Sequence, residues 1–97
     1  MKMIILIAKD NDADTITQTL TTAEYRVTRV ASTGGFLRSG VVTLLLGVDD
    51  DRVDHAIGLV KSKLGASASG EKRATLFVVP VERFEQVLAI ALGAKLK

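Results

Sequence analysis

The residues of this chain with chemistry to offer are few. It contains no cysteine and one histidine, His55, so disulfide scaffolds, thiolate metal sites and cysteine nucleophiles are excluded, and a zinc site lacks ligands. Asp10-Asn11-Asp12-Ala13-Asp14 opens like a calcium-binding loop. The sixth position of such a loop should be glycine and is Thr15; the twelfth should be glutamate and is Thr21. Asp49, Asp50 and Asp51 are consecutive and do not share a helix face, whereas carboxylates at a helix start are stabilised by the macrodipole. We read both runs as capping residues. His55 follows Asp51 by one turn, with no nucleophile nominated beside it, and reads as a solvated helix-surface side chain.

The glycine-rich segment from Ser32 to Gly40 is more informative. It matches neither G-x-x-x-x-G-K-S/T nor G-x-G-x-x-G, which excludes P-loop and Rossmann chemistry. The adjacent Gly34 and Gly35 let backbone N–H groups turn toward one concavity, where they can hold a phosphate. Arg26, Arg29 and Arg38 place positive charge around it. Phe36, in a loop between Gly35 and Leu37, is costly to expose unless it packs or stacks. The same spacing also suits a hairpin loop that docks Phe36 and Leu37 on a neighbouring subunit. Spacing alone leaves both readings open.

These residues need a scaffold, and the apolar pattern supplies one. Met3–Ala8 is continuously apolar, as expected of a central strand covered on both faces. Its run meets Lys9-Asp10-Asn11-Asp12 too soon for a signal peptide or a membrane span. Asn11 or Asp12 is expected to cap a helix carrying Ala13, Ile16, Leu20 and Ala23 on one face. The alternating Thr15, Thr17, Thr19 and Thr21 favour a strand there, but the cap and the stripe together favour helix. Tyr25–Ala31 is expected as a second, polar strand at a sheet edge. Val41–Val48 is a third, apolar and central. A second helix follows the aspartates, with Val53, Ile57, Val60 and Leu64 on one face and Gly65 as its stop. Ala74–Val79 is a fourth strand ended by Pro80, and Val81–Leu92 is expected as a terminal helix.

The order β-α-β-β-α-β plus a C-terminal helix predicts an α+β ferredoxin-like sandwich, a four-stranded antiparallel sheet with helices on one face. Residues 1–97 form a single expected domain. Both central strands are apolar on both faces, so the uncovered face calls for burial against other copies of the chain. With 47% apolar residues, 4% aromatic residues and a net charge of +2, the chain suits neither a dedicated DNA- or RNA-binding role nor membrane insertion. A cytoplasmic location is expected.

Arg26-Val27-Thr28-Arg29-Val30-Ala31-Ser32-Thr33-Gly34-Gly35-Phe36-Leu37-Arg38-Ser39-Gly40 resembles the signature of the PII-like cyclic-di-AMP receptors. So do Met1-Lys2-Met3-Ile4-Ile5, Gly47-Val48-Asp49-Asp50-Asp51-Arg52-Val53 and Leu76-Phe77-Val78-Val79-Pro80-Val81-Glu82-Arg83-Phe84. The resemblance runs from Met1 to about Gln86. It implies a non-enzymatic homotrimer, with no cofactor or metal, that binds one cyclic-di-AMP in each cleft between subunits and signals to a downstream protein. By position it assigns the backbones of Gly35, Phe36 and Leu37 to a phosphate, Thr28 and the Gly47 backbone to adenine, and Arg26 to the cleft wall. Two departures stand out. Val41 occupies a position where the family has an adenine-contacting asparagine; leaving that amine unpaired costs roughly 1–3 kcal/mol. The segment Gly65–Lys72 replaces a longer loop bearing a stacking aromatic, which costs another ~1–3 kcal/mol. A different adenine nucleotide, or a trimeric interaction module without a nucleotide, are the alternatives these departures raise.

Overall fold

A computed structural model describes residues 1–30, 40–65 and 73–87. Its elements are β1 (Lys2–Lys9), α1 (Asp10–Thr22), β2 (Val27–Val30), β3 (Val41–Val48), a 3-10 turn (Asp50–Arg52), α2 (Val53–Leu64) and β4 (Ala74–Pro80). The sheet order is β2-β3-β1-β4, and every neighbouring pair is antiparallel. This is the ferredoxin-like arrangement expected from the element order. The largely apolar β1 and β3 are central, and the polar β2 lies at an edge.

Strand alternation divides β1 and β3 between two faces. Ile4 and Leu6 pair with Leu46 and Leu44, and all four are fully buried beneath Ile16 and Leu20 of α1. Removing such a leucine leaves a void that tight packing cannot close. The opposite face carries Met3, Ile5 and Ile7 of β1 with Thr43 and Leu45 of β3. No helix covers it. Phe77 of β4, paired with Ile5, is 52% exposed there, and Val30 is 42% exposed at the other edge.

Helix α1 starts at Asp10, earlier than expected. Its N-cap is Lys9, with no side-chain cap, so Asn11 and Asp12 lie inside the first turn. Two of the threonines meet helical geometry by bonding carbonyls one turn back, Thr19 Oγ1 donating to Thr15 O at 2.9 Å and Thr15 Oγ1 to Asn11 O at 3.3 Å, whereas Thr17 Oγ1 is buried with no hydrogen-bond partner among the described residues. The aspartate run likewise begins a 3-10 turn, with Asp49 at its N-cap and no side-chain cap, before α2. Gly65 ends α2 at φ 67°, donating its N–H to Lys61 O.

One expectation needs correcting. Val81–Val87, the first part of the expected C-terminal helix, is irregular, with Phe84 61% and Val87 92% exposed. A short amphipathic segment with nothing to pack its apolar stripe against gains too little to offset helix nucleation. The remainder of that expected helix, residues 88–92, lies outside the described residues.

Candidate functional site

The β2–β3 pairing sets Thr28 opposite Leu45 and Val30 opposite Thr43. Continuing that register by one step places Arg26 opposite Gly47. Thr28, Val30, Val41, Leu45 and Gly47 alternate with residues of the buried face, so they share the helix-free side of the sheet. Arg26 and Thr28 are exposed. Val41 lies where the chain enters β3 from residues 31–40, and Gly47 sits about 20 Å further along the strand. The sequence-predicted residues Arg26, Thr28, Val41 and Gly47 therefore form one strip along the β2 edge. Gly35, Phe36 and Leu37, with Arg38, lie outside the described residues, between the ends of β2 and β3.

The strip offers a cationic side chain, a hydroxyl and strand backbone on a flat apolar surface. Its Gly47 end is closed by the N-terminus, which no sequence signal marked. A Cβ at Gly47 would meet Met1 Cε at 2.6 Å, so the Met1 side chain lies over that glycine. The Met1 ammonium pairs with Asp50 at 2.8 Å, and Met1 O accepts from Val81 N–H at 3.1 Å. That pairing, chiefly through the ammonium hydrogen bond, holds the Asp50 carboxyl below its usual range.

Two sequence readings change. Arg29, expected among the charges around the glycine loop, turns to the helix side and pairs with Asp14 at 2.6 Å and Asp10 at 3.7 Å. Its neighbours in β2 have opposite parity, which assigns Arg29 to structure and leaves Arg26 on the strip. His55 is exposed but partnered: Tyr25 Oη lies 2.6 Å from its Nδ1. Tyr25 is buried, with the Arg52 guanidinium 4.5 Å from its ring centroid. This cluster joins α1's C-terminal side to α2 and holds no group from the strip.

Among the described residues no cluster of histidine and carboxylate side chains could hold a metal ion. A groove of about 470 Å³ opens between α2 and β4, lined by Ile57, Leu64, Ala74 and Leu76 with Lys61 at its rim. It lies on the helix side, away from the strip. Val78, on the same face as buried Ile4, is 39% exposed.

Arg73, just before β4, makes another ion pair that the sequence does not announce. Its Nη2 and Nε donate to the two Asp12 carboxylate oxygens at 2.8 and 3.2 Å, and its Nη1 donates to Leu64 O at 3.1 Å. Hydrogen bonds from Arg73, outweighing the effect of partial burial, hold the Asp12 carboxyl below its usual value of 3.8. Folding thus favours the Asp12 carboxylate, and its contribution is present above the unfolded value and lost as pH falls through the lowered folded value. Asp12→Asn is expected to destabilise the protein by about 1 kcal/mol, discounting for the partly exposed arginine. In urea titrations that difference should be constant from about pH 5 to 8 and close below about pH 4. A difference that persists undiminished at about pH 2 would assign the effect to something other than the ion pair.

The fold and the strip define a PII-like signalling domain: a ferredoxin-like sheet whose second face is apolar and carries no helix among the described residues, with a polar edge beside a glycine-rich connection. The chain belongs to the cyclic-di-AMP receptor family, whose model matches residues 1–69. It is 32% identical over 94 residues to a nitrogen fixation nifHD region GlnB-like protein 1 of Methanothermococcus thermolithotrophicus, with 84% of this chain and 88% of that protein covered. It is also similar to the crystal structure of a functionally unknown protein from Pediococcus pentosaceus (TM-score 0.69, 29% identity, 89% of this chain and 96% of that one).

Proposed function

We propose that this chain is a non-catalytic signalling protein that binds cyclic-di-AMP, or a related adenine nucleotide, in clefts between the subunits of a homotrimer. The observation that carries this reading is the strip itself. Arg26, Thr28, Val41 and Gly47 share one face and one edge, and that face is the sheet's uncovered apolar side. A ligand seated along it gains its second wall only when another copy covers the face. Membership of the cyclic-di-AMP receptor family supports the nucleotide. The backbones of Gly35, Phe36 and Leu37 hold a phosphate, Thr28 and the Gly47 backbone contact adenine, and Arg26 lines the cleft. A downstream protein partner reads the loaded state.

Val41 is the residue at which specificity is tuned. Placed at the start of β3 on the strip, it presents methyl groups where an amide would pair with adenine. Val41→Asn adds a donor and an acceptor with little change of volume, and a neutral hydrogen bond contributes roughly 0.5–1.5 kcal/mol net, more if it satisfies a buried amine. Titration calorimetry should show cyclic-di-AMP binding by the wild type and about three- to thirtyfold tighter binding by Val41→Asn. ATP, ADP and AMP in the same series identify the nucleotide. If none of the four binds either form, the nucleotide reading fails, and the trimeric interaction module stands in its place.

A further inference from the structure

The two connections flanking the strand ends, residues 31–39 and 66–72, are far apart in sequence. Their described ends meet at one place, the first turn of α1. Ahead of residues 31–39, Arg29 pairs with Asp14 at 2.6 Å and Asp10 at 3.7 Å. Behind them, Gly40 O accepts the Asp10 N–H at 2.8 Å. Around residues 66–72, Arg73 grips both Asp12 oxygens while donating to Leu64 O at the end of α2. Asp12 is the least exposed partner in these pairs, its side chain 15% accessible.

This turn has little support of its own. Its N-cap, Lys9, provides no capping side chain; Asn11 Oδ1 accepts the Asp12 N–H at 3.0 Å, but the leading N–H, that of Asp10, depends on a partner outside the helix. Asp10 N–H finds Gly40 O. The carboxylates of Asp10, Asp12 and Asp14 find arginines from two other segments. A helix start held from outside transmits the loss of one anchor to the others, because an uncapped first turn frays as a unit.

We propose that the first turn of α1 is a shared anchor coupling the two connections, and that Asp12 is a positioning residue for the nucleotide site without touching the ligand. Releasing Arg73 from Asp12 loosens the turn and with it the Asp10–Gly40 bond that fixes where residues 31–39 rejoin the sheet. The ligand part of this inference rests on the proposed nucleotide site; the coupling does not.

The test compares the full-length wild type with Asp12→Asn and Arg73→Gln, using amide hydrogen exchange and calorimetry with cyclic-di-AMP. Both variants should speed exchange at the Asp10 amide about tenfold, although the carboxylate that Arg73 grips is that of Asp12. Both should weaken cyclic-di-AMP binding about three- to tenfold. Ala56→Gly, a buried position of α2 beside His55 and Tyr25 at the far end of α1, separates coupling from general destabilisation: it should leave Asp10 exchange under native conditions and ligand affinity near their wild-type values. The inference is overturned if Asp12→Asn leaves Asp10 exchange unchanged, or if Ala56→Gly reproduces both effects. A wild type that binds no cyclic-di-AMP defeats the proposed nucleotide site alone, since the exchange comparison needs no ligand and still decides the coupling.

Discussion

Replacing Gly35 with valine is expected to abolish cyclic-di-AMP binding while leaving the fold intact. Gly35 follows Gly34 and precedes Phe36 in the segment proposed to hold the phosphate through backbone N–H groups. Such a cradle works only if the ligand can approach the main chain closely, and an isopropyl group on the central residue stands in that approach. Hydrogen bonds to a charged phosphate contribute roughly 1.5–3 kcal/mol each, and losing two of them weakens binding by at least about a hundredfold. Position 35 belongs to none of the described strands or helices, so the circular dichroism spectrum and the thermal midpoint should stay close to wild type. Calorimetry reads the outcome directly. Unchanged affinity would mean that the phosphate is held elsewhere.

The second large effect is expected at Leu45. It lies in the middle of β3 on the uncovered face, between Ile5 of β1 and Thr28 of β2. In the proposed trimer this face is the shared core, so Leu45→Asp brings unpaired carboxylates into an apolar interface. An unpartnered buried charge costs several kcal/mol at each subunit, enough to dissociate the assembly at micromolar concentration. Sedimentation should show the wild type near three times the 10.4 kDa chain mass and the variant near that mass alone. The same variant should lose nucleotide binding, because the cleft has lost its second wall. The buried face, with Ile4, Leu6, Leu44 and Leu46 under α1, is untouched, so the monomer should keep its fold. A wild type that sediments as a monomer would overturn the trimer.

Much of this fold is legible in the order of residues. Met3–Ala8 is apolar throughout and Val41–Val48 is broken only by Thr43 and Gly47, as suits central strands covered on both faces. Val27–Val30, broken by Thr28 and Arg29, belongs at an edge, where one side of the ladder meets water. The helical stripe through Ala13, Ile16 and Leu20 outweighed the strand preference of the threonines because it buries a continuous surface. The end of the chain was misread in part: Val81–Leu92 has helical spacing, but over its described part, Val81–Val87, no surface receives the stripe and no helix forms. The α2 stripe expected from spacing, Val53, Ile57, Val60 and Leu64, does face the core, but Ala56 and Val60 are its buried residues, and Ile57 and Leu64 stay partly open along the groove beside β4.

The strip was legible as a list of residues but not as a place. Arg26, Thr28, Val41 and Gly47 stand out in the sequence through family resemblance, yet only the register of β2 on β3 shows them on one face. Arg29 illustrates the limit. One residue from Thr28, it carries the same charge as Arg26, and nothing in its type says which side it serves. The two-residue period of the strand puts it under α1, where Asp10 and Asp14 neutralise it. The same holds for Asp12, which reads as a helix cap until Arg73, 61 residues later, takes both its oxygens. Apolar periodicity is a local property of the chain and survives in the sequence, so the strands, the helices and the core were available there. The pairing of a charge with its partner depends on which segments the sheet brings together, and that is decided only when the chain has folded.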